Sequence, residues 1–104
     1  MSKYYQVLIS AENKAQASSI LNALLNKKLI IGGTLLQGPA TFWWKGKINR
    51  MEEYSYLLTY TVEKNKQSII EETKNVAVEE VPMISFIAFE GNEELLRYID
   101  SVLS

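Results

Sequence analysis

The side chains able to do chemistry here are carboxylates, amines, phenols and indoles, because the 104-residue sequence has no cysteine and no histidine. That composition excludes disulfides, zinc fingers, thiolate nucleophiles, a Ser-His-Asp triad and every imidazole metal site. Glu79 and Glu80 form a carboxylate pair just ahead of Pro82 that could take a hard divalent cation or a substrate amine. Adjacent residues of an extended segment point to opposite faces, so sharing one ion is difficult and the pair is a weak metal candidate. Trp43 and Trp44 lie beside Lys45, Lys47 and Arg50, a pattern that could stack bases within a basic rim. The basic-Gly-aromatic pattern of RNA-binding strands is missing, and interface anchoring is the preferred use of the two indoles. Gly32-Gly33 could cradle a phosphate, but no Walker or Rossmann spacing surrounds it, so a bulge or close packing is expected. Tyr54, Tyr56 and Tyr60 are spaced along one strand face and read as packing. No acid–base pair stands at a recognisable spacing, so neither an enzyme nor a cofactor is expected.

Lys and Arg total 11 against 12 Asp and Glu, a net charge of -1 that creates no field for nucleic acid or anionic membrane. Hydrophobic residues at 47% are ordinary for one globular domain, here residues 1–104. No apolar run approaches the roughly 20 residues that span a bilayer, and no signal-peptide core is visible at the N-terminus. The cytoplasm is therefore the expected compartment.

The elements that must position these residues follow from periodicity. Residues 3–10 alternate as a strand, and Asn13 with Gln16 has capping-box spacing ahead of a helix carrying Ala17, Ile20, Leu21, Leu24 and Leu25. Residues 29–37 read as a strand weakened by the glycine pair and punctuated by Gly38-Pro39. Residues 40–45 resume it, and the polar run from Lys47 to Glu53 reads as a turn or hairpin tip. Tyr54–Val62 is the clearest strand. A second helix is predicted over 65–76, a strand over 83–89 and a last helix after Asn92.

The order strand, helix, strand, strand, helix, strand, with a helical tail, predicts an α+β protein. Its architecture is a ferredoxin-like βαββαβ sandwich whose four-stranded antiparallel sheet carries both crossover helices on one face. The other face is left open, and neither face of the last strand is polar. At about 25 cal/mol per Å², covering roughly 800 Å² per subunit contributes about 20 kcal/mol before association costs. An oligomer held by the open face is therefore expected, with cover by loops or the C-terminal helix as the alternative.

Gly38, then Trp44-Lys45-Gly46-Lys47, then Leu57-Leu58 and Thr61 resemble the "P-G-x-T-S-x-Y-x-W-x-G-K" and "E-V-L-L-x-I-K-T" segments of the CutA divalent-ion tolerance proteins. Glu80-Val81-Pro82 with Ile84 is similar to that family's "H-x-Y-E-x-P-x-I". Gly91-Asn92 with Leu95 to Ile99 is similar to its "G-N-x-x-Y-L-x-W-I". The resemblance implies a homotrimer with the architecture of the PII signalling proteins and a link to divalent-ion tolerance. It puts Glu80 and Pro82 at a subunit edge, with Glu80 in an ion pair across the interface and Glu79 solvated, beside the interface residues expected from the indoles and the open sheet face, Trp43, Trp44, Tyr54, Tyr56 and Tyr60. The family's cysteine position is Gly32 here, its histidine Ala77 and its tyrosine Glu79, leaving only Glu80 of the "H-x-Y-E" trio; its "I-K-T" lysine is Tyr60, and the loop from Gly38 to Trp44 is one residue shorter. Soft ions favour thiolate and imidazole donors, so a copper site is not expected to carry over. The function read from these residues is a non-catalytic, trimeric CutA-like protein. One alternative is a PII-like sensor holding a small anionic ligand in a subunit cleft near Lys45, Lys47 and Glu80. The other is a structural trimer presenting its hairpin to a protein partner.

Overall fold

The computed structural model describes residues 3–103. Its elements are β1 (Tyr4–Ala11), α1 (Lys14–Asn26), β2 (Gly33–Trp44), β3 (Lys47–Val62), α2 (Lys66–Val76), β4 (Ile84–Ala88) and α3 (Glu93–Leu103), with a single 3-10 turn at Glu63–Asn65. The strands form one antiparallel sheet in the order β2-β3-β1-β4. This is the ferredoxin-like arrangement that the element order predicts.

Strand alternation separates the two faces. Val7 pairs with Thr59 and Phe86, and Ile9 pairs with Leu57 and Ile84, so these residues share the face under α1 and α2. Val7, Ile9 and Leu57 join Ala17, Ile20 and Leu24 of α1 and Ile69 of α2 in one buried core. Asn13 starts α1 by accepting the Gln16 N–H at 2.9 Å, which satisfies one orphan donor of the first turn. Asn65 does not cap α2; its amide donates instead to the Leu29 carbonyl at 3.3 Å.

On the reverse face lie Tyr4, Gln6, Leu8 and Ser10 of β1 with Tyr54, Tyr56, Leu58, Tyr60 and Val62 of β3. Helix α3 packs over one end of this face: the Tyr4 hydroxyl donates to Asp100 at 2.8 Å, and Ile99 is fully buried. Just ahead of α3, the Phe89 ring lies 5.3 Å from that of Tyr60. The rest stays open, with Leu36 of β2 and Ile87 of β4 each about half exposed, 45% and 48%.

Three segments differ from the periodicity reading. Leu29–Ile31 is not strand: Lys28 (φ 53) and Gly32 (φ 137) turn the chain there, and Ile30 drops into the core. Side chains of β3 hold that turn, Thr61 donating to the Leu29 carbonyl at 2.7 Å and Thr59 to that of Gly32. Gly33 then approaches β3 so closely that an added Cβ would lie 2.5 Å from Leu57 Cδ1. Second, Gly38-Pro39 does not end β2; the strand runs through with a bulge between Gly38 and Ala40, opposite Glu52 and Glu53. Third, Lys47–Glu53 is strand rather than turn. The hairpin closes on Lys45 and Gly46 alone, whose φ values of 50 and 82 are the positive pair of a type I′ turn. The resulting ribbon continues from the bulge through the paired residues Ala40–Met51 to Trp44–Lys47. A ribbon with no buried face has no reason to alternate, which is why the pattern concealed it.

Candidate functional site

The residues singled out by type converge where the hairpin leaves the sheet. Between α2 and β4, residues 77–83 cross this end without regular structure. Side chains pin that strap to three other elements. Gln16 of α1 accepts the Val78 N–H at 2.5 Å. Ser10 of β1 donates to Glu79 Oε1 at 2.9 Å while its Oγ accepts the Met83 N–H at 2.8 Å. The Tyr54 hydroxyl of β3 donates to Glu79 Oε2 at 2.5 Å.

Both oxygens of Glu79 are thus engaged by hydroxyl donors, and the side chain is half-buried rather than solvated as expected. The reason is local chemistry: Ser10 and Tyr54 are buried on this face and need a strong acceptor. Burial, followed by the hydrogen bond to Glu79, holds the Tyr54 phenol well above its ordinary range. Phe42 and Tyr56 meet the Tyr54 ring edge-on at 5.4 and 5.6 Å. Tyr54 is thus buried within its own chain, with 3% exposure.

Glu80 does not share the partners of Glu79 and pairs with Lys45 at 3.3 Å. Both side chains are mostly exposed, so the pair is worth about 0–1 kcal/mol. Lys45 Nζ also sits 5.5 Å from the Trp44 ring. Of the proposed ligand cleft, Lys45 and Glu80 thus neutralise each other, and Lys47 is exposed in the adjoining strand. Trp43 and Trp44 lie on opposite faces of the ribbon, since Phe42 shares the face of Tyr54. They do not form one stacking platform. Tyr56, Tyr60 and Pro82 are partly buried.

Beside Tyr54 and Tyr56, a shallow depression of about 190 Å³ is floored by Leu36, Gly38, Pro39 and Ala40. Ligand pockets usually enclose about 300–1,000 Å³, so this one has the size for a side chain rather than a cofactor. Among the described residues no group of three or more acidic, histidine or cysteine side chains is placed to hold a metal ion. Sequence reading missed Ser10 and Gln16, the two residues that anchor the strap. A serine among the hydrophobic residues of β1 is the one signal that could have pointed to Ser10.

What the fold and site define is a class: ferredoxin-like α+β domains whose sheet keeps one face largely clear of their own crossover helices. Within that class, the chain belongs to the CutA1 divalent ion tolerance protein family, whose sequence profile matches residues 5–102. It is 30% identical over 98 residues to the divalent-cation tolerance protein CutA of Archaeoglobus fulgidus, covering 93% of this chain and 95% of the relative. Its identity to the divalent-cation tolerance protein CutA of Thermococcus kodakarensis is 33% over 89 residues, 84% of each chain. The solved structure of the periplasmic divalent cation tolerance protein CutA from Archaeoglobus fulgidus superposes with a TM-score of 0.89 at 26% identity, covering 97% of this chain and 99% of that one. CutA1 from Oryza sativa shares the fold with a TM-score of 0.90 at 19% identity, over 99% and 95% of the two chains.

Proposed function

We propose that this chain is a non-catalytic homotrimer that serves divalent-cation tolerance by binding or scaffolding, without a soft-ion site built from side-chain nitrogen or sulfur. The observation that carries this reading is the half-open sheet face, where Leu36 and Ile87 stand exposed although α3 already covers one end. Such a face is stabilised by burial against further copies of the chain. Support for the second part comes from the donors. With no Cys or His, thiolate and imidazole are absent; of the two carboxylates in the matching segment, Glu79 is engaged by Ser10 and Tyr54, and Glu80, the retained glutamate of the family pattern, is paired with Lys45. A cytosolic location belongs to the same proposal and is checked by cell fractionation.

Light scattering at micromolar concentration tests the assembly: three chains per particle are expected, and a monomer mass overturns it. Titration with copper or zinc, followed by tryptophan fluorescence, tests the donors. No saturable micromolar site is expected; tight binding of one ion per chain refutes that half of the proposal.

A further inference from the structure

A cavity of about 310 Å³ opens at the Val62 end of β3, away from the hairpin turn and the strap. Its lining is Lys3, Val62, Glu63, Lys64, Asp100 and Leu103. Three parts of the chain build it. The Glu63 N–H donates to the Lys3 carbonyl at 3.0 Å, which ties the start of β1 to the 3-10 turn after β3. The Tyr4 hydroxyl then holds Asp100, at 2.8 Å, so that the last turns of α3 close the third side. The volume reaches the range of about 300–1,000 Å³ typical of small-molecule sites, which the depression beside Tyr54 does not.

The charged groups at its rim are not equivalent. Glu63 is already engaged, by the Tyr5 hydroxyl at one oxygen and by Lys66 at 3.8 Å from the other. Asp100 accepts from Tyr4 through Oδ2 alone, and its Oδ1 has no partner among the described residues. That bond holds the Tyr4 phenol above its ordinary range, so the carboxylate stays ionised and the phenol stays a donor. Neither Lys3 nor Lys64 is in an ion pair among the described residues. Lys3 Nζ lies 5.6 Å from the Tyr4 ring, which keeps it near the partner of Asp100. The last turn of α3, beside the cavity, carries no basic residue, and the C-terminal end of a helix favours a cation. Two unpaired ammonium groups, one free carboxylate oxygen and the apolar side chains of Val62 and Leu103 therefore face one space.

We propose that this cavity binds a free α-amino acid with an apolar side chain. Its carboxylate lies between Lys3 and Lys64, its ammonium group on Asp100, and its side chain against Val62 and Leu103. The choice of ligand class follows from the signs. A simple anion meets the repulsion of Asp100, and a simple cation meets that of the two lysines. A molecule that carries both charges a few ångströms apart pairs with each, and such charge-assisted hydrogen bonds are the strong ones. The apolar wall then separates leucine-like from polar side chains by the area each buries. The site depends on neither the trimer nor the metal reading put forward above.

The test titrates the full chain with three probes of matched shape: L-leucine, 4-methylpentanoate, which lacks the amine, and 3-methylbutylamine, which lacks the carboxylate. Methyl NMR shifts of Val62 and Leu103 report where each binds. Leucine is expected to move both residues saturably, and each single-charge probe to bind weaker by about tenfold or more. Lys3→Gln with Lys64→Gln changes only exposed side chains and is expected to remove the response to leucine. Asp100→Asn keeps an acceptor for Tyr4, so the fold is retained; it is expected to bring leucine down to the level of 4-methylpentanoate. No saturable shift with leucine up to about 20 mM, far above the working range of a specific small-molecule site, overturns the proposal. So does equal binding of all three probes, which marks an unselective apolar hollow, and so does binding that leaves Val62 and Leu103 unmoved. Leucine affinity unchanged in the folded double-lysine variant, or in Asp100→Asn, overturns it as well.

Discussion

Glu79 is the residue on which the local structure turns. Its carboxylate accepts from both Ser10 and Tyr54, so deleting it leaves two buried hydroxyls without an acceptor. Glu79→Ala is expected to lower stability by about 1–3 kcal/mol in urea unfolding, as unsatisfied buried polar groups do. Glu79→Gln, which retains an amide acceptor, loses less. Tyr54→Phe in the Glu79→Ala background then recovers part of the loss, because one orphan has been removed along with its partner. The phenol also predicts a pH response. Its folded pKa is raised above the ordinary tyrosine value of about 10, so between the two values the native state binds the proton that the unfolded chain releases. Stability from this group is complete below about pH 10 and is lost as pH rises above it. Thermal melts from pH 8 to 11 are expected to fall less steeply for Tyr54→Phe. Tyr54 was legible in the sequence as a packing residue on a strand face; its partner was not, since nothing in local spacing ties residue 54 to residue 79.

Among the elements, the hairpin departs furthest from its sequence signal. A type I′ turn needs positive φ at both central residues, and Gly46 meets this freely while Lys45 carries a Cβ penalty of roughly 1–2 kcal/mol. Asparagine tolerates that conformation better. Lys45→Asn also removes the exposed ion pair to Glu80, worth about 0–1 kcal/mol. A small net gain in stability is therefore expected in denaturant melts; a clear loss means that the Lys45–Glu80 pair holds the strap more firmly than its exposure allows. The strap itself was invisible as structure because its bonds are made by side chains from α1, β1 and β3 rather than by a periodic backbone. In contrast, α1 was readable to its cap: Asn13 and the spacing of Ala17, Ile20 and Leu24 act within a few residues of each other.

For the whole molecule, the deciding feature is a sheet with unequal faces. One face is closed by α1 and α2, and the other is closed by α3 at one end and by the Glu79 strap at the hairpin end. If assembly completes the cover, folding and association are linked, and anything that binds the native chain stabilises it by mass action. The melting temperature is then expected to rise with chain concentration across the range where light scattering shows assembly. A melting temperature independent of concentration while the mass changes would break that linkage.

By themselves, residue types and their periods determined the topology, the core face and the absence of thiolate and imidazole chemistry. Each depends on neighbours along the chain or on composition alone. Only tertiary structure decided that Glu79 is bonded rather than solvated, that Tyr54 is sealed, that α3 crosses the reverse face, and that the polar run after Gly46 is strand. These outcomes join residues tens of positions apart, or concern a ribbon with no core beneath it, and in both cases the hydrophobic pattern carries no record of the contact.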